Sequence, residues 1–183
     1  MAKQKVGIEY AVFGLRTVSN GAVSYTNGKY ISPVAAFNGA PNAASGSDYG
    51  DNIIQEQEDG ITGGTLSVEF NHDSEDVYVM LLGHEKDTQS GEITFKASDD
   101  APYVGCGAVG KSAGGIYVGK FYTKVKFREP NDDNATKAEN ITFNHITCEG
   151  AILMEDDGTW KIRKEFDSLN AAKTWLNGKV GIS

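Results

Sequence analysis

The chain has 183 residues, 39% of them hydrophobic and 23% charged, the composition of an ordinary globular protein long enough for one domain with a real core. Its 25 acidic and 17 basic residues give a formal charge of −8, which excludes a nucleic-acid binder that works through a basic footprint on phosphates. No apolar run approaches the roughly 18 residues of a membrane-spanning helix, and the start "MAKQKVGIEY" lacks the apolar segment of a signal peptide.

The elements follow in chain order. "VGIEYAVFGL" (6–15) reads as a first strand, and Asn20-Gly21 and Asn27-Gly28 are turn signals between short extended pieces. "ISPVAAFN" (31–38) is a second extended segment, with Pro33 placing it at an edge or against an irregular stretch. Residues 39–64, "GAPNAASGSDYGDNIIQEQEDGITGG", are rich in Gly, Ala, Ser, Asn and Asp. They read as a long loop, either mobile on the surface or ordered against a neighbouring subunit.

"GTLSVEFN" (64–71) alternates, with Leu66, Val68 and Phe70 on one face. The period then changes. Asp73 or Ser74 can cap a short helix, Val77, Met80 and Leu81 form its apolar stripe, and Gly83 ends it. "GEITFKAS" (91–98) resumes alternation, 136–154 reads as a long extended segment, and "TWKIRKEF" (159–166) alternates again after the turn at 155–158. The tail 167–178 reads as a helix with an Asp/Ser start, Leu169, Ala172 and Leu176 at helical spacing, and Gly178 as its stop.

"GCGAVGKS" (105–112) fits the phosphate-binding pattern G-x-x-x-x-G-K-[ST]. That pattern works where a glycine-rich turn leads into a helix whose free N–H groups hold phosphate. Here the following residues, 113–130, place Tyr117, Phe121, Val125 and Phe127 on odd positions and Lys120, Lys124, Lys126 and Arg128 on even ones. Period two predicts a strand with one apolar and one basic face, and leaves Lys111 at a β-turn. A P-loop nucleotidase therefore stands as the remaining enzymatic alternative, without its helix. The basic face reads either as a solvated or edge-protecting surface or as an inter-subunit contact through Lys120, Lys124, Lys126 and Arg128.

His72, His84 and His145 have no metal-site spacing and read as surface or turn residues. The acidic pairs at 99–100, 132–133 and 156–157 fall in turn-like stretches. Cys106 and Cys148 read as buried, reduced thiols, consistent with a reducing compartment. No catalytic, cofactor-binding or metal-ligating residue is assigned, and no cofactor is implied.

The order of these pieces resembles the major tail (tail tube) protein family of long-tailed, non-contractile bacteriophages. The matching stretches are "VGIEYAVFGLRTV", "YTNGKYISPVAAFNGAP", "SDYGDN", "GGTLSVEFNHDSEDVYVMLLG", residues 98–152, and "DDGTWKIRKEFD" with "TWLN". Gly-Cys-Gly at 105–107 departs from it, since bulkier residues are expected there. The resemblance implies a mainly β (α+β) single domain over 1–183, a β-sandwich or barrel with a flanking short helix, a long assembly loop at 39–64 and a C-terminal helix. It implies a homohexameric ring that stacks into a tube in the virion tail, assembled in the bacterial host cytoplasm, with inter-subunit contacts at Tyr49, Asp51, Ile53, Ile54 and Glu56. It further implies tape measure, tail terminator and distal tail proteins as partners, viral DNA passing through without specific binding, and no membrane. The tube of a phage-tail-like bacteriocin or injection device is the alternative within the same architecture.

Overall fold

The computed structural model describes residues 5–50, 53–131 and 145–182, with residues 5, 6, 46–50 and 53–58 described by their backbone alone. Alternating apolar residues give a sheet that dominates the molecule. Its strands are β1 (Lys5–Ser19), β2 (Ala22–Lys29), β3 (Val34–Gly50) and β4 (Ile53–Phe70), then, after the two-residue pair β5 (Glu85–Lys86) and β6 (Ile93–Thr94), β7 (Tyr103–Ser112), β8 (Tyr117–Phe127), β9 (Ile146–Leu153) and β10 (Lys161–Phe166). Helix α1 (Leu169–Val180) follows.

The large sheet is antiparallel throughout, in the order β2-β1-β7-β8-β9-β4-β3, with β10 also paired to β8. β8 is the branch point. Its first half, 117–122, pairs with β10, and its second half, 124–127, pairs with β9. The sheet curls until its distant strands meet. Phe13 of β1 lies 5.5 Å from Phe70 of β4 and 6.3 Å from Phe127 of β8, ring centre to ring centre. These three rings, with Leu66, Val68, Val104 and Val125, fill the interior.

A second core lies on the outer face, where Ala172, Leu176 and Val180 of α1 cover Val12, Val109 and Phe121. The helix sits low because glycines floor its seat. A Cβ added at Gly107 of β7 would lie 2.6 Å from Leu176, one at Gly119 of β8 2.7 Å from Trp175, and one at Gly14 of β1 2.8 Å from Val180. This explains the small residues at 105–107. Gly107 admits the helix, and Gly105 lies under the rings of Tyr25 and Phe121. Ser168 caps α1 by accepting from the Ala171 N–H at 3.2 Å.

Several local expectations are corrected. α1 runs through Gly178 and ends at Gly181 (φ 74°), whose N–H returns to Asn177, because a left-handed residue and not merely a glycine terminates a helix. Asn20-Gly21 is the β1–β2 turn, but Asn27-Gly28 lies inside β2, where Asn27 (φ 52°) forms a bulge opposite β1. The short helix is a single wide turn, Val77–Leu81, with no side-chain cap; its buried stripe of Val77, Met80 and Leu81 and its exit at Gly83 (φ 81°) are as expected. Only Ile93–Thr94 of 91–98 is strand. Of the extended segment at 136–154, residues 136–144 lie outside the described residues and 146–153 form β9.

Candidate functional site

Residues 39–64 are not a loop. Residues 39–50 and 53–64 are the outer parts of β3 and β4, paired from Gly39↔Leu66 to Gly50↔Ile53 with bulges at Thr62 and Gln55. β9 supports β4 only from Gly64 to Phe70. Beyond Pro41↔Gly64, therefore, β3 and β4 continue as a two-stranded arm with no third strand among the described residues. Period-two patterning is absent from the arm, and where its side chains are described no apolar face is buried. Asn42 to Ser45 and Asp59 to Thr62 are exposed. Of the contacts expected at its tip, Tyr49, Ile53, Ile54 and Glu56 are placed by backbone alone, in the arm's strands, and Asp51 lies outside the described residues. The arm's charged residues are all acidic: Asp48, Asp51, Glu56, Glu58 and Asp59, with no Lys or Arg between Lys29 and Lys86.

The single basic face expected on β8 is broken by a β-bulge. Val104 pairs with Val125 and Cys106 with Tyr122, so Gly105 alone opposes Thr123 and Lys124. One extra residue reverses which side of the sheet each later side chain occupies. Before the bulge, Lys120 lies opposite Ala108 on the interior side. After it, Val125 and Phe127 take the interior, and Lys124 and Lys126 point the other way, 5.2 and 5.4 Å from the centre of the Tyr103 ring. Lys126 also donates to Asp100 at 2.6 Å, and its pKa is raised chiefly by that bond. Arg128 is exposed just past the strand. The four basic residues thus fall into three environments, with only Lys124 and Lys126 sharing one, beside Tyr103.

Gly105–Ser112 lies within strand β7, paired on one side with β1 and on the other with β8. Lys111 belongs to that strand, opposite Gly7 and Tyr117, and the turn lies after it, closed by Ser112 N–H donating to Ile116 at 2.8 Å. The amides a phosphate cradle would use are committed to the ladders, and the next element is β8.

The inner face near that turn is left open. Beside Ile8, Ala36, Ala108 and Gly110, the curl of the sheet leaves a mouth of about 430 Å³ between β3 and the ends of β1, β7 and β8, with Gly7 and Lys120 also on its wall. Small residues on the inner positions leave the mouth unfilled, whereas Phe13, Phe70 and Phe127 plug the interior further along.

Two polar clusters were not legible in the sequence. His84, read as a surface residue, is buried, with Nδ1 2.7 Å from Asp99 and Nε2 2.9 Å from Glu129, and its ring 4.3 Å from that of Phe95. Burial pushes its pKa down, but the bonds to Asp99 and Glu129 and their charges outweigh this, so the net direction is upward. Arg16 of β1 grips Glu155 with both ends of its fork, Nε to Oε1 at 2.9 Å and the second nitrogen to Oε2. The bond to Glu155 raises the Arg16 pKa, and Tyr25, beside this pair, is pushed up to about 12 by burial first and by the Glu155 charge second. The partners are separated by 15 to 139 residues, so no local spacing announces them.

Cys106 and Cys148 are free and buried. Burial raises both thiols, Cys148 to about 12, so both are inert rather than nucleophilic. Among the described residues no cluster of three His, Cys, Asp or Glu is placed to hold a metal, and no helix is long and apolar enough to cross a membrane. The chain matches no protein-family profile and no curated protein.

Proposed function

We propose that the chain is a structural subunit of a bacteriophage tail tube, assembling with its own copies into stacked hexameric rings that form a conduit for DNA. The observation that carries this reading is the arm. A two-stranded ribbon is marginal in water by itself, and this one extends roughly 30 Å past the last β3–β4 pair that β9 supports, with exposed residues on both strands. Such an arm is accounted for by a neighbour that covers it. The resemblance of the quoted stretches and their order along the sequence to the tail tube family supplies the kind of assembly. β2, β3 and β10 each have a single partner strand among the described residues, and open edges of this kind are removed when sheets join around a closed ring.

The charge of −8 suits a conduit, because an acidic wall repels phosphates and offers them no holding point. Negative-stain electron microscopy of the concentrated protein tests the proposal. Rings or hollow tubes are expected, and a strictly monomeric protein at every concentration would overturn it.

A further inference from the structure

The register of the arm sets like charges against each other. Asp48 of β3 lies directly opposite Glu56 of β4, and Glu58 lies two residues along from Glu56, so the three acids share one face of the ribbon. Like charges directly opposite across a strand pair are destabilising. No Lys or Arg lies between Lys29 and Lys86, so the arm holds no cation of its own to offset them.

The complementary pattern lies on β10. Of the strands of the large sheet with a single partner among the described residues, β3 carries no cation, and Lys29, the one cation of β2, is bonded to Asp76 at 2.7 Å. β10 carries Lys161, Arg163 and Lys164 within its six residues. Lys161 and Arg163 stand two apart on one face of the strand, and both are exposed. Lys161 lies over the Trp160 ring at 4.4 Å and has no carboxylate partner among the described residues. Arg163 donates to Glu165 at 2.6 Å through one nitrogen, and a guanidinium has further donors for a second carboxylate. The lengths agree as well. Between its two bulges the ribbon is regular for six pairs, from Ala43↔Ile61 to Asp48↔Glu56, and β10 runs for six residues with no shift in register.

We infer that the β4 half of the arm of one copy adds to the open edge of β10 in a second copy, antiparallel like the rest of the sheet, with Glu58 against Lys161 and Glu56 against Arg163. Main-chain bonds supply the affinity of such a contact, and the opposed charges fix its register. Arm and β10 are different surfaces, so the contact is heterologous and passes from copy to copy. The inference rests on the tube reading for its choice of a second copy as partner, and it names the surface that receives the arm.

The test is a charge swap. Lys161→Glu with Arg163→Glu reverses β10, Glu56→Lys with Glu58→Lys reverses the arm, and a fourfold variant carries both. The arm reversal also removes the like-charge pair with Asp48, so assembly lost there is not lost through the ribbon's own repulsion. Circular dichroism melts establish that each variant is folded. If the β10 reversal is not, Lys161→Glu alone with Glu58→Lys repeats the design and leaves the Arg163–Glu165 bond in place. Sedimentation velocity over a concentration series reads mass, and electron microscopy reads shape.

Each reversal alone is expected to raise the concentration needed for assembly by about tenfold or more, and the fourfold variant to return it to that of wild type. If the contact holds but the tube reading fails, this pattern appears in particles that are not hollow. If the tube reading holds but the contact fails, wild type and all variants form tubes at the same concentration. No effect of either reversal, or a fourfold variant no better than the reversals alone, overturns the inference, and a wild type that never self-associates overturns both.

Discussion

His84 shows how one side chain ties distant segments together and makes the tie depend on pH. Both ring nitrogens face carboxylates, so the doubly protonated ring is the form that satisfies Asp99 and Glu129 together. Its folded pKa is raised and that of Asp99 is lowered, the latter chiefly by the bond to His84. The His84 contribution to stability is complete below the ordinary histidine value near 6.5 and is lost as pH rises through the raised folded value. The Asp99 contribution is present above the ordinary carboxylate range and is lost as pH falls through the depressed value. The tie is therefore strongest from about pH 4 to 6.5. Thermal melts at pH 6 and pH 9 are expected to show a lower Tm at pH 9. His84→Gln is expected to flatten that difference, and an unchanged pH slope in the variant would refute the assignment.

Glycine makes a second argument at this scale, because the same substitution has opposite signs at two positions. At Gly107 an added methyl meets Leu176 at 2.6 Å and the Lys120 carbonyl, which is backbone, at 2.7 Å. Gly107→Ala is expected to destabilise by about 1–3 kcal/mol through overpacking. At Gly178, inside α1, nothing lies within 4 Å, and Gly178→Ala is expected to stabilise by roughly 0.5–1 kcal/mol through helix propensity. Urea unfolding of both variants measures the pair.

The β3–β4 arm behaves as an element separate from the body. Replacing residues 43–62 by an Asn-Gly turn between the paired Asn42 and Gly63 removes ribbon pairs outside the β9-supported part of the sheet, and Asn-Gly suits a tight hairpin. The shortened protein is expected to keep its melting transition within a few degrees and to form no rings or tubes in the microscope. A collapse of the transition would place the arm in the core instead.

The arm also marks where the sequence became hard to read. Alternation is a signature of a strand with one buried face, and it was plain in Leu66, Val68 and Phe70, each fully buried. In the arm, glycine, alanine, serine and asparagine carry no such contrast, so an extended ribbon looks like a loop. The β8 bulge misled in the opposite way. Period two was present along the whole strand, but the extra residue at Thr123–Lys124 transferred the apolar side chains from the helix face to the interior. α1 was legible because Ala172 and Leu176 bury a helical stripe, and only its terminus shifted, to the left-handed Gly181. The mouth could not be read locally, since Ile8, Ala36, Ala108 and Lys120 come from four strands.

For the molecule as a whole, the pairings that build it are long in sequence. Phe13 of β1 lies beside Cys106 of β7, and Val68 of β4 beside Cys148 of β9, so the sheet closes only after most of the chain is available. Helix α1 comes later than every strand, and its glycine seat is assembled from β1, β7 and β8. The seat exists only once those strands are in register, so docking of α1 records that the sheet is complete. A chain cut short before Leu169 would hold every strand yet leave Val12, Val109 and Phe121 bare. Such fragments would adhere to one another through that bare patch. The same twelve residues that cover the outer core thus distinguish finished chains from unfinished ones.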